Sequence, residues 1–384
     1  MTETAPALPR NRLLAQGAVV ATATVFGLTY SLSAPLIALD MAEHGLGETI
    51  IGANAAMHAV GVLIIAPILP SLVGRWGARP LVVFALAVAA IVMAAFPAMP
   101  SIWLWFPLRL LLGMASEVLF VLSETWINHL ADERSRARSM AIYTGALSLG
   151  FALGPLILSG VGSDGPTAYL IGAGLALLAV GFVASPKIEA PHFEEPATRN
   201  PMRYLRLAPI AISTTVLNAG IETAGLSFLA LYAMSTGWAE QDAARLISSL
   251  MFGAIVLALP IGWLGDKMDR RRLVMILGLI AAVGALAWPF VLNDPWLAYP
   301  VVFVWGGVFV GIYTIMLTVV GSRFKGAELV GIYAVMGLTW GAGALVGPAL
   351  AGLAMDFLPH GLAIFASLAC FAFVIFLWRV KSEA

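Results

Sequence analysis

Twelve times along this chain of 384 residues, a mostly apolar stretch runs unbroken for the thickness of a bilayer. A helix that spans a membrane needs about 20 such residues. The runs cover 14–38, 49–73, 80–98, 102–126, 138–161, 167–185, 207–233, 243–264, 272–292, 296–319, 329–353 and 361–378. They are continuous rather than alternating, which excludes an outer-membrane β-barrel. Only 11% of the residues are charged and 60% are hydrophobic, whereas a soluble domain carries about 25% charged residues. A soluble enzyme, a disordered protein and a disulfide scaffold are therefore excluded. The first run follows Arg10 and Arg12. It is too long for a signal peptide, no A-x-A-type site closes it, and a second run follows at once. The expected fold is an all-α membrane protein with twelve transmembrane helices.

Orientation follows from the basic residues of the connecting segments. With the N-terminus inside, 19 of the 21 Lys and Arg residues fall on the inner side. Arg245 lies outside and Arg109 within a span. Both termini are expected in the cytoplasm, in the cell (inner) membrane. The formal net charge is zero, so nucleic acid is not an expected partner. The single cysteine, Cys370, forms no internal disulfide.

The chain divides in the middle. Residues 186–206 hold four prolines and seven charges, which no buried helix tolerates. They read as a linker between a six-helix bundle over 1–185 and a second over 207–384. Two motifs repeat between the halves. Gly74-Arg75-Trp76-Gly77 after the second span answers Asp266-Lys267-Met268-Asp269 after the eighth, 192 residues on. Gly150-Phe-Ala-Leu-Gly154-Pro155 in span five answers Gly343-Ala-Leu-Val-Gly347-Pro348 in span eleven, 193 residues on. Shared offsets in matching spans point to two pseudo-symmetric bundles.

These residues carry a resemblance. Along its length the chain resembles a major facilitator superfamily transporter. Residues 262–272 are similar to that family's loop signature G-x-x-x-D-R/K-x-G-R-R, with Asp269 where glycine is usual. The 70–79 copy departs further, with Gly74 in place of the acid, so a latch there is weak or absent. Arg109-x-x-x-Gly113 resembles the family's R-x-x-x-G element. Gly150-x-x-x-Gly154-Pro155 resembles the fifth-span motif of antiporters. The resemblance extends to the drug–proton antiporter-like branch. It implies two bundles rocking around a midplane site, driven by an ion gradient, usually of protons, without a bound cofactor.

Physical chemistry assigns roles to the same residues. Asp266, following Gly262, faces the cluster Arg270 to Arg272. Charge-assisted hydrogen bonds between Asp266 and Arg270 or Arg271 would form a cytoplasmic latch. Gly154-Pro155 and Gly347-Pro348 serve either as hinges for the rocking motion or as static bends at helix contacts.

Charges inside apolar spans are costly and functional by default. Arg109, Glu117 and Glu124 stand on span four and Glu222 on span seven. Glu117 and Glu124 share a helix face about 10 Å apart, and Arg109 stands about 22 Å from Glu124. Taken out of water, a carboxyl group resists ionisation, which suits it to carrying a proton. Glu117 is the expected proton carrier, with Arg109 competing against the proton for it and Glu124 further along the path. The positions 193 residues on are Val302, Val310 and Leu317, so the ladder exists in one half only. Glu222, with Asn218 one turn before it, answers Tyr30 of span one at offset 192. Glu222 reads as a substrate-charge reader, a second proton site or a neutral packing group. Asn54 and His58, one turn apart in span two, complete the expected substrate cavity with Glu222, Asn218 and Tyr30. No metal site is expected.

No G-x-x-x-x-G-K-[ST] loop is present, so ATP is not expected to drive the protein. No nucleophile–base constellation suggests an enzyme. The leading expectation is a monomeric secondary transporter in the lipid bilayer, exporting a hydrophobic or amphipathic small molecule in exchange for protons. A proton symporter or uniporter of a sugar, organic acid or other nutrient is the alternative. A non-transporting membrane scaffold or sensor is the alternative of another class.

Overall fold

The computed structural model describes residues 10–130, 136–185, 188, 208–324 and 326–380. Among them are thirteen α-helices and no strand. The first half holds α1 (Arg10–Glu43), α2 (Glu48–Ile65), α3 (Leu69–Trp76), α4 (Ala78–Ala95), α5 (Trp105–Leu130), α6 (Arg136–Val161) and α7 (Thr167–Val183). The second holds α8 (Pro209–Ser235), α9 (Glu240–Lys267), α10 (Arg270–Val291), α11 (Pro295–Arg323), α12 (Gly326–Phe357) and α13 (Gly361–Arg379). The expected linker lies outside the described residues apart from Ile188.

Eleven of these helices are long and apolar enough to cross a bilayer. Helix α7 has only 17 residues, the lower limit of about 17 for a span. It takes the twelfth place because it lies against α4 as α13 lies against α10. The run at 49–73 is not one span. Helix α2 stops at Ile65, a turn follows through Ile68, and α3 starts afresh. Pro67 has no amide to donate and crowds the preceding turn.

Local sequence sets several helix starts. Asp269 accepts the Arg272 amide at 2.8 Å and so caps α10. Asp294 accepts the Trp296 amide at 2.9 Å ahead of Pro295, the first residue of α11. Such caps satisfy amides that a helix leaves unpaired.

The two halves repeat each other. Helix α1 lies against α6, α2 against α5, and α4 against α5 and α7; α8 lies against α12, α9 against α11, and α10 against α11 and α13. Even the closest crossings correspond. A side chain at Gly61 or Gly113 would strike the carbonyl of Leu110 or His58, where α2 meets α5. A side chain at Gly253 or Gly306 would strike that of Phe303 or Leu250, where α9 meets α11. Small residues let helix backbones touch inside a bilayer. Across the middle, α2 meets α12, α6 meets α9, and α1 meets α8.

Helices α1 and α8 are central. The hydroxyls of Thr22, Thr29, Thr215, Thr223 and Ser227 bond to carbonyls one turn back. That satisfies a polar group where water is absent. Phe84, Leu178, Leu259 and Phe290 are exposed on the periphery, as a lipid-facing surface requires. Twelve crossings return the chain to the end at which it started. This is the termini end. The far end carries the turns at 44–47 and 162–166.

Candidate functional site

Between the halves lies a small cavity of about 10 Å3, lined by Tyr30, His58 and Arg109 from the first half and Thr223, Ser227 and Pro348 from the second. Arg109 is 3% exposed. Its Nη1 donates to Ser33 Oγ at 3.1 Å, and its Nε has no partner. No carboxylate among the described residues stands within ion-pair distance of it. His58 and Asn54 are 5% and 1% exposed, and His58 Nδ1 and Asn54 Nδ2 also lack partners. The His58 ring stands 4.9 Å from that of Tyr30, and Trp340 approaches Tyr30 from the second half at 6.5 Å. Tyr30 lies within electrostatic reach of both Arg109 and Glu222. Sequence offset had paired Tyr30 with Glu222, and the fold brings them near one another across the molecule.

Glu222 borders a second cavity of about 20 Å3 inside the second half. Its walls include Leu226, Leu229, Met251, Trp305 and Phe309. Asn218 Nδ2 donates to Glu222 Oε2 at 3.0 Å, while Asn218 Oδ1 has no partner. One carboxyl group thus faces an aromatic and aliphatic wall.

The expected contest between Arg109 and a proton for Glu117 is not built here. The charge nearest in effect to Glu117 is that of Glu124, and Arg109 donates to Ser33 instead. Two helical turns, about 12 Å, separate Arg109 from Glu117 along α5. Glu117 is half-buried, with no hydrogen bond or ion pair among the described residues. Glu124 is half-buried in the same helix and has a partner.

The expected cytoplasmic latch is also unmade in this conformation. Asp266 is exposed and bonds to none of the arginines. Arg270 donates to Ser322 Oγ at 3.1 Å and to the Thr318 carbonyl. Arg271 donates to the carbonyls of Leu377 and Val380. Arg271 thus closes the C-terminus of α13, where carbonyls are otherwise unpaired, and Arg270 holds the last turns of α11 in the same half. Gly262 has open space around it.

Gly154-Pro155 and Gly347-Pro348 lie inside unbroken helices α6 and α12. A side chain at Gly154 would strike Ser31 and Leu32 of α1, and one at Gly347 would strike Gly220 of α8. Each marks the same helix crossing in its own half.

The far end holds contacts that motif reading missed. Asp356, at the end of α12, accepts the amides of Glu48 and Thr49 at 2.9 and 3.1 Å, and also the Thr49 hydroxyl. Glu240, at the start of α9, accepts the Ser163 amide at 2.6 Å. Both bonds join one half to the other. The repeat marks these positions, since Asp164 precedes Asp356, and Glu48 precedes Glu240, by 192 residues, but the offset does not name their partners. No group of three or more His, Cys, Asp or Glu that could hold a metal occurs among the described residues.

Comparison with known proteins gives a consistent picture. The family model described as Major Facilitator Superfamily matches residues 19–244 and 210–384. The uncharacterized MFS-type transporter YfkF of Bacillus subtilis (strain 168) is 24% identical over 345 residues, covering 87% of this chain and 86% of that protein. The uncharacterized MFS-type transporter YcaD of Salmonella dublin is 21% identical over 352 residues, covering 90% of each. Among solved structures, the nucleoside transporter NupG is similar at a TM-score of 0.76 and 15% identity, over 97% of this chain and all of that one. The D-xylose–proton symporter is similar at a TM-score of 0.74 and 14% identity, over 96% of this chain and 98% of that one.

Proposed function

The chain belongs to the major facilitator superfamily, and on that premise we propose that it is a proton-coupled secondary transporter of an amphipathic small molecule. The reading rests on one observation. Glu222, a lone carboxyl group, borders an apolar cavity beside the surface where the halves meet, within electrostatic reach of Tyr30 on the other half. A group whose charge is costly there exchanges protons as its surroundings open and close. Glu222 therefore takes the first place as proton carrier, with Glu117 and Glu124 forming a second path along α5. The excess of basic residues in the connecting segments supports a cytoplasmic termini end. The far end then faces outside, and Asp356 and Glu240 hold the outer entrance shut.

Two readings of the coupling have separate support. The resemblance of Gly150-x-x-x-Gly154-Pro155 to the fifth-span antiporter motif supports export against protons. The cation of Arg109, which no nearby carboxylate neutralises, supports co-transport of an acidic nutrient, because a negative substrate and a neutralised Glu222 favour each other. The test is proton movement into proteoliposomes loaded with a pH dye, with lipophilic cations, sugars and organic acids added in turn. Glu222→Gln and Glu117→Gln run beside the native protein. Substrate-driven proton flux that disappears in Glu222→Gln, with substrate exchange kept, supports the reading. Transport with no proton signal in the native protein overturns it.

A further inference from the structure

The geometry points to an organic anion as the substrate, its carboxylate or comparable oxyanion docking on the Arg109 guanidinium beside His58, with Asn54 one turn before His58 on α2. This rests on the reading of the chain as a transporter but not on proton coupling. Three nitrogens on two touching helices lack a hydrogen-bond partner: Arg109 Nε, Asn54 Nδ2 and His58 Nδ1, the last a donor in the tautomer that carries its proton there. All three side chains are more than nine-tenths buried. Leaving one such donor unpaired is costly, and more so when it is charged. The sequence offers no remedy within the site, because the carboxyl group of Glu222 is held by Asn218 on the other half.

Arg109 and His58 are close by construction. Gly113 brings α5 onto the backbone of α2 at the carbonyl of His58 itself, and Arg109 stands one turn before Gly113. The cavity at Arg109 and His58 is walled on its other side by Thr223 and Ser227 of α8. A ligand there touches both halves, so its binding energy differs between the two arrangements of the bundles, as transport requires. The fit is to a charged headgroup. A neutral hydroxyl leaves the guanidinium uncompensated, and an ammonium is repelled by it. An anion answers the guanidinium with charge-assisted hydrogen bonds, and takes a further one from His58 in the tautomer protonated at Nδ1.

The test compares sodium benzoate, benzamide and benzylammonium chloride, which share a ring and differ in headgroup charge. Straight-chain carboxylates from acetate to octanoate extend the panel. Each is added to the purified full-length protein, and affinity is read from the rise in thermal unfolding temperature. The expected result is binding of one or more carboxylates, with the neutral and cationic isosteres at least tenfold weaker, that figure being on the order of one charged hydrogen bond. Arg109→Gln should weaken carboxylate binding about ten- to hundredfold, and Arg109→Lys should restore part of it. Should Arg109→Gln not fold, His58→Gln and Asn54→Ala, each with Arg109 intact, should weaken it by about three- to tenfold. The proposal is overturned if benzamide or benzylammonium binds as tightly. It is equally overturned if carboxylate binding survives loss of the donors, or if no carboxylate gives a shift that depends on them. No gradient is present in this measurement. Carboxylate binding without proton flux would therefore overturn the coupling reading alone, and proton flux without carboxylate binding would overturn this one alone.

Discussion

Asp356 caps a helix that belongs to the other half of the molecule: its Oδ2 accepts the Thr49 amide at 3.1 Å, and its Oδ1 the neighbouring Glu48 amide at 2.9 Å. Gly47, at the N-cap position of α2, has no side chain to do this for itself. The first turn of α2 is thus complete only while the far ends of the halves stay together. Opening them costs a cap. Because Asp356 is exposed, the cost is set at the ordinary range for a cap, about 0.5–2 kcal/mol.

Asp356→Ala should therefore shift the population towards a far-end-open state by about two- to thirtyfold. The readout is the labelling rate of a cysteine placed at Ala34, beside the central cavity, by a membrane-impermeant maleimide in a Cys370→Ala background. Asp356→Asn keeps an acceptor and should move the rate much less. Equal rates in native protein and Asp356→Ala would refute the gate.

Gly113 and Gly306 occupy equivalent crossings, each against a backbone carbonyl. Backbone on backbone cannot be relieved by a rotamer change. Gly113→Leu and Gly306→Leu should each destabilise the protein by about 1–3 kcal/mol or more. Gly174, with open space around it in α7, is the control, and Gly174→Ala should be neutral or stabilising by up to about 1 kcal/mol. Thermal unfolding of the three variants in detergent decides the matter.

Glu222 and Asn218 bond to each other beside an apolar cavity. Replacing both members of a buried polar pair by apolar groups is often neutral or stabilising, whereas replacing one leaves the other stranded. Glu222→Leu alone should lower the unfolding temperature relative to the double variant Asn218→Leu/Glu222→Leu. Both should abolish proton flux. A double variant less stable than the single one would show that the pair has a structural role beyond its own hydrogen bond.

Asp266 bonds to none of the arginines in this conformation, and exposed charges of that kind contribute little to stability. Asp266→Asn should leave the unfolding temperature within about 0.5 kcal/mol of native stability. If the latch forms when the bundles rock, the same variant should slow turnover. A large loss of stability would mean that Asp266 already has a role in the conformation described here.

The crossing helices and the repeat were legible because each is written in composition or spacing. Proline at position 67 could have flagged the break after α2, but a run of apolar residues masks a turn when only hydropathy is read. The ladder Arg109, Glu117, Glu124 was legible as a row on one helix. Its partners were not, because Ser33 reaches Arg109 from α1 and no periodicity in α5 records that. Asp356 and Glu240 looked like ordinary loop-end carboxylates. Only their bonds to Thr49 and Ser163 make them contacts between halves.

Hydrophobic runs of bilayer length fix a helix locally, since in lipid each backbone amide must bond within its own segment. That alone determined an all-helical membrane protein and its crossing number, and motif spacing added its internal repeat. Which charge meets which acceptor is a property of pairs far apart in the chain. It was settled only when small residues such as Gly61 and Gly113 let the helices close to backbone contact. The sequence thus carried the elements and their symmetry, and the tertiary structure decided that Arg109 stands without a counterion while Asp356 caps a helix of the other half.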